Sequence, residues 1–112
     1  MIMKKLALFA ILFCMVLYLT PASAQAEDGA ALFKTKCASC HGPDGAGQTA
    51  VGKSMKLRHL GSAEVQVKSD ADLQLMIAEG GKDKKAMHQF AKKGLTPEQI
   101  KALVAFVRTL KK

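Results

Sequence analysis

Cys37, Cys40 and His41 are the residues best placed to do chemistry; with Ala38 and Ser39 between them they make a C-x-x-C-H pattern. Cysteines three apart lie on one side of a helical turn. The histidine follows at once, so its imidazole can reach a metal held beside the sulfurs. That chemistry is the covalent attachment of a c-type haem. The two thiols add to the haem vinyl groups as thioethers, and His41 becomes the proximal iron ligand. Other uses of C-x-x-C fit less well. A thioredoxin-like motif belongs in a βαβ setting, and no alternating β-branched run offers one. A structural zinc site needs four ligands, and only His59 and His88 remain as further histidines.

Haem iron has a second face, and its ligand decides between electron transfer and small-ligand chemistry. Met55, Met76, Met87, His59 and His88 carry suitable donors. Met76 falls on a helical apolar stripe and reads as a core residue. Met55 has no special setting, and His59 reads as a loop or propionate-contacting residue. Met87 sits in a loop able to fold across the far face. Its soft, uncharged thioether favours ferrous iron and raises the reduction potential relative to a second histidine. Adjacent residues of an extended loop point in opposite directions, so one of Met87 and His88 faces the iron. Met87 is the expected distal ligand, and His88 is expected to face solvent.

The elements that must position these groups are helical. The first helix is expected to start near Asp28 and run into the motif through Ala31, Leu32 and Phe33. Gly42-Pro43-Asp44-Gly45-Ala46-Gly47 breaks it. Residues 48–61 show no clear period and read as a loop, with a short helical turn at residues 62–67. Ser69 caps the next helix, with Asp72 in a capping-box position. Leu73, Met76 and Ile77 form its stripe, and Gly80-Gly81 stops it. A lysine-rich loop follows to Gly94. Thr96, Pro97 and Gln99 mark the last helix, whose stripe is Ile100, Leu103, Val104, Val107 and Leu110. Lys111 and Lys112 suit its C-terminal end.

The chain has 112 residues and begins with Lys4 and Lys5, then an apolar run from Leu6 to Leu19. Pro21 and Ala22-Ser23-Ala24 follow, which completes the order of a secretory signal peptide. The run is shorter than the roughly 18 residues of a spanning helix. Cleavage after Ala26 satisfies the same small-x-small rule. Residues 1–24 are therefore expected to leave as a signal, and 25–112 to form one domain. Cys14 leaves with the signal, and the motif uses both remaining cysteines. A domain this small needs a staple, and bound haem would serve. Losing Lys4 and Lys5 from 17 basic residues set against 9 acidic ones lowers the formal charge from +8 to +6. A basic surface steers acidic partners. Nucleic acid is not expected, since Phe33, Phe90 and Phe106 are the only aromatics after the signal and offer no stacking platform.

Together these residues resemble a small class I cytochrome c of the short bacterial monohaem type, from Gly29 to the C-terminus. The resemblance rests on Cys37-x-x-Cys40-His41-Gly42, Asp44-Gly45-x-Gly47, Ser69-Asp70-x-Asp72-Leu73 and Met87-x-x-Phe90. Leu95-Thr96-x-Glu98-x-Ile100 and Leu103-x-x-Phe106 complete it. It implies an all-α cytochrome c fold around one covalent haem c per chain. The N- and C-terminal helices would cross, with Gly29 and Phe33 meeting Leu103 and Phe106. It also implies a monomeric, periplasmic, non-enzymatic electron carrier with His41 and Met87 as axial pair. Its partners would be redox proteins with acidic docking surfaces, with no membrane insertion after signal removal. The family commonly has proline after the ligand methionine; His88 replaces it here, which predicts a more mobile ligand loop. Two other functions share the motif. One is a haem protein with a labile sixth site, for ligand binding or peroxidase-like chemistry. The other is a haem module docked on a larger membrane enzyme.

Overall fold

The structure, a computed structural model, describes residues 28–112. The expected signal peptide and its boundary with the domain lie outside the described residues. Six helices are present and no strand occurs among the described residues. They are α1 (Gly29–Lys36), α2 (Ala38–His41), α3 (Ala50–Ser54), α4 (Ala63–Gln66), α5 (Asp70–Glu79) and α6 (Pro97–Thr109).

Local chemistry explains most boundaries. The Asp28 carboxylate accepts the Ala30 N–H at 3.1 Å and starts α1. Ser69 Oγ accepts the Asp72 N–H at 3.1 Å and starts α5. Thr96 and Gln99 form a full reciprocal box at the head of α6, with bonds of 2.8 and 3.2 Å. Gly80 adopts a left-handed φ of 84° and ends α5. Two details depart from the sequence reading. The first helix breaks at Cys37, where φ is −123°, and resumes as the single turn α2. Residues 50–54 are helical where a loop was expected. Five residues are too few to show a period, and the signal is the cap alone: Thr49 Oγ1 accepts the Gly52 N–H at 2.8 Å.

Crossing of α1 and α6 organises the core. A Cβ at Gly29 would lie 2.1 Å from the Ala102 carbonyl oxygen and 3.3 Å from Phe106 Cβ, so only glycine lets the backbones approach this closely. One turn on, the Phe33 and Phe106 rings pack with centroids 4.8 Å apart and tilted by 43°. Leu32, Phe33, Leu95, Ile100 and Leu103 form one buried cluster, and Val65, Leu73, Val104 and Val107 a second. Leu60 and Ile77 touch both. The two clusters share α6, which spans the molecule as its spine.

Long-range polar bonds tie the α4–α5 region to that spine. The Arg108 guanidinium donates to the Asp70 carboxylate and to the Gln66 and Lys68 carbonyls at 2.6 to 2.9 Å. Gln66 Nε2 in turn donates to the Leu60 and Val107 carbonyls. Backbone carbonyls between short helices lack helical partners, so side-chain donors must satisfy them.

Candidate haem site

The C-x-x-C-H segment is held from behind by its own backbone. Cys37 leaves α1, and the N–H groups of Cys40 and His41 both donate to its carbonyl. The loop after the motif then folds back. Gly47 N–H donates to the His41 carbonyl at 2.7 Å, and Thr49 Oγ1 donates to the Cys40 carbonyl at 2.6 Å. At Gly52 a Cβ would sit 2.3 Å from the Gly47 oxygen and 2.7 Å from the Cys40 oxygen. The glycine- and threonine-containing loop therefore seats α3 against the two motif carbonyls. Sequence reading took that loop only as a helix breaker; its partners are carbonyls that residue types do not reveal.

In front of the motif lies an apolar cavity of about 310 Å³, within the usual range for small-molecule sites. Cys37, Cys40 and His41 line one wall. Leu60, Val65, Leu73, Ile77, Leu103 and Val107 supply much of the rest. Among the described residues that line it there is no carboxylate, hydroxyl or amide side chain. Burial, with Cys40 nearby, pushes the Cys37 thiol up to about 11, so it stays protonated at neutral pH. Cys37 and Cys40 do not pair as a disulfide.

All three candidate methionines reach the cavity, as does His88, whereas His59 does not line it. His59 Nδ1 instead accepts the Gly61 N–H at 2.9 Å and shapes its own loop. Met76, expected as core, faces the cavity from α5. Met55 and Met87 are 41% and 55% exposed. His88 departs most from expectation. It is half-buried rather than solvent-facing, with its ring 9° from parallel to that of His41 and centroids 6.2 Å apart. Burial, followed by each ring's charged neighbours, lowers both histidines: His88 acts on His41, and Lys85 and Lys93 act on His88. Both imidazoles are thus held in the neutral form that offers a lone pair.

The loop carrying Met87 and His88 is tied to α5. Phe90 and Ala91 N–H groups donate to the Ile77 and Ala78 carbonyls at 3.0 and 3.1 Å. Lys93 Nζ donates to the Met87 carbonyl at 3.0 Å and lies 4.7 Å from the Phe90 ring centre. The backbone takes left-handed φ at Lys84 and Gln89, 51° and 42°.

The donor set fits covalent haem: two thiols and a half-buried imidazole open onto one apolar cavity, with a second set of donors across it. His41 Nδ1 and His88 Nδ1 are both buried without a hydrogen-bond partner, so neither ring is explained by bonds within the protein. Comparisons with known proteins agree with this chemistry. The family model described as Cytochrome c matches residues 26–111. A solved structure described as "KustC0563 c-type cytochrome" is 41% identical with a TM-score of 0.65; the match covers 76% of this chain and 99% of that one. No curated protein sequence matches the chain.

Proposed function

Since the chain belongs to the cytochrome c family and carries haem c covalently, we propose that it is a one-electron carrier between respiratory or photosynthetic redox partners. The observation that carries this reading is the cavity itself. Its walls offer thiols, imidazoles, thioethers and hydrocarbon, with Lys36 and Lys85 as the only other polar groups among the described residues. Such a lining can hold and shield a redox centre.

When bound, the haem supplies a reversible one-electron iron couple. Cys37 and Cys40 would hold it by thioethers, and the His41 imidazole would bind its iron. The apolar walls would exclude water and so help set the potential. Met87, the family-type thioether, and His88, which line the cavity from one loop, would be the candidate second donors to the iron. Lys36 and Lys85 at the cavity, with Lys34, Lys53 and Lys93 exposed nearby in sequence, supply positive charge for a transient encounter with an acidic redox protein. Export to the periplasm through the N-terminal signal, followed by action as a monomer, completes the reading. No helix among the described residues is long and apolar enough to cross a membrane.

Redox titration of the purified holoprotein tests the proposal. One covalent haem with a reversible one-electron couple is expected, as are transfer rates to an acidic partner that fall as salt rises. Turnover of peroxide faster than electron transfer would replace the carrier by an enzyme. A salt-independent rate would remove the acidic partner.

A further inference from the structure

Arg108 lies near the end of α6, next to Val107, which is buried and lines the haem cavity. Its side chain is 30% exposed and is fully engaged. Nε and Nη2 donate to the Asp70 carboxylate at 2.9 and 2.7 Å. Nη1 donates to the Gln66 carbonyl at 2.9 Å, and Nη2 to the Lys68 carbonyl at 2.6 Å. The Asp70 side chain is 66% exposed, so the ion pair by itself contributes little. What the guanidinium does is span. Its planar fork reaches three acceptors around one corner, where α4 ends and α5 begins.

Gln66 ties the same corner a second time. Its Nε2 donates to the Leu60 and Val107 carbonyls at 2.9 and 3.0 Å. Lys112 N–H donates to the Gly61 carbonyl at 3.2 Å, and a Cβ at Gly61 would lie 2.0 Å from the Leu110 carbonyl oxygen. The end of α6 is therefore fastened to residues 60–61 and again to residues 66–70. The fastened segments carry cavity wall: Leu60, Val65 and Leu73 all line it, whereas Arg108 and Gln66 do not. Helix α4, which carries Val65, has four residues. A helix of one turn does not hold its own position, so the wall depends on the ties behind it.

We infer that Arg108, seconded by Gln66, is a positioning residue for the redox centre: it holds the α4–α5 corner so that Val65 and Leu73 keep water out of the haem cavity. The inference rests on the haem-carrier reading and adds what helps set its potential. Water solvates the more highly charged ferric state better than hydrocarbon does, so a wall that loosens lowers the reduction potential.

Reduction potentials and native-state amide exchange of the holoprotein, with Arg108→Lys and Gln66→Met beside it, test the assignment. Arg108→Lys keeps the charge and loses the fork. Gln66→Met keeps a neutral side chain of similar length and loses the donor. Both variants should keep covalent haem and a reversible couple at a potential below wild type. Exchange of the Val65 and Leu73 N–H groups, which donate to the Ser62 and Ser69 carbonyls, should be about tenfold faster as the corner opens. An unchanged potential in Arg108→Lys overturns the inference and leaves the carrier intact. A lower unfolding midpoint at that unchanged potential would make the network scaffold only. A potential lowered by Arg108→Leu alone would make the charge, and not the corner, the cause. Should Arg108→Lys fail to yield holoprotein, an unchanged potential in Gln66→Met overturns the inference in the same way. Absence of covalent haem or of a reversible couple in wild type overturns the carrier reading and this inference with it.

Discussion

The two sides of the haem cavity are built by different means. On the proximal side the motif is fixed by backbone: the His41 and Cys40 carbonyls receive bonds from Gly47 and Thr49, and Gly52 packs against the same atoms. On the distal side, the rear of the loop is anchored by Phe90 and Ala91 on α5, and its front by turn bonds from the Lys84, Lys85 and His88 N–H groups to the Gly81, Gly80 and Lys85 carbonyls. Exposed side chains add the Lys84–Glu79 ion pair and the Lys93 bond to the Met87 carbonyl. Exposed pairs of this kind contribute little. The attachment side is therefore packed backbone against backbone, whereas the distal loop is held by turn bonds and by its pairing with α5. That loop keeps two backbone bonds to α5 despite lacking the proline expected after Met87, so part of its stiffness comes from pairing rather than from a ring.

Four substitutions would break or sharpen this contrast. Cys40→Ser should have the largest effect, since it removes one thioether; intact mass should show no doubly attached haem, and unchanged double attachment would undo the proximal assignment. Gly52→Ala forces a Cβ into two backbone oxygens and should cost about 3 kcal/mol in denaturant unfolding of the holoprotein. Thr49→Val removes the α3 cap and the bond to Cys40 and should cost roughly 1–2 kcal/mol in the same measurement. Gln89→Gly relieves a left-handed φ of 42° but loses the Gln89 bond to the Lys84 carbonyl. These effects oppose one another, and stability should stay within about 1 kcal/mol of wild type. A Gln89→Gly loss as large as that of Gly52→Ala would mean that the two sides are equally rigid.

Much of the scaffold was legible because it is local. Caps at Asp28, Ser69 and Thr96 announce themselves by residue type, and the α6 stripe needs only a count of 3.6 residues per turn. The approach of Gly29 to α6 was also anticipated, although its nearest contact is the Ala102 carbonyl and not Leu103. What escaped was non-local. Arg108 satisfies carbonyls about forty residues away, and an arginine near a helix end gives no sign of that role. The α3 turn escaped for another reason: five residues cannot display a period. Met76 was taken for core because its stripe faces inward, yet inward here means toward the haem cavity.

The sequence alone determined that two thiols and an imidazole share one helical turn, because a spacing of three residues needs no long-range contact to express itself. It also determined the helices that enclose them, through caps and periodicity. Only the tertiary structure decided that both neighbours, Met87 and His88, line the cavity, where alternation along an extended loop predicts that one of them points away. The loop that carries them pairs residues 90 and 91 with α5 and turns left-handed at Gln89. That pairing is a consequence of how distant segments meet.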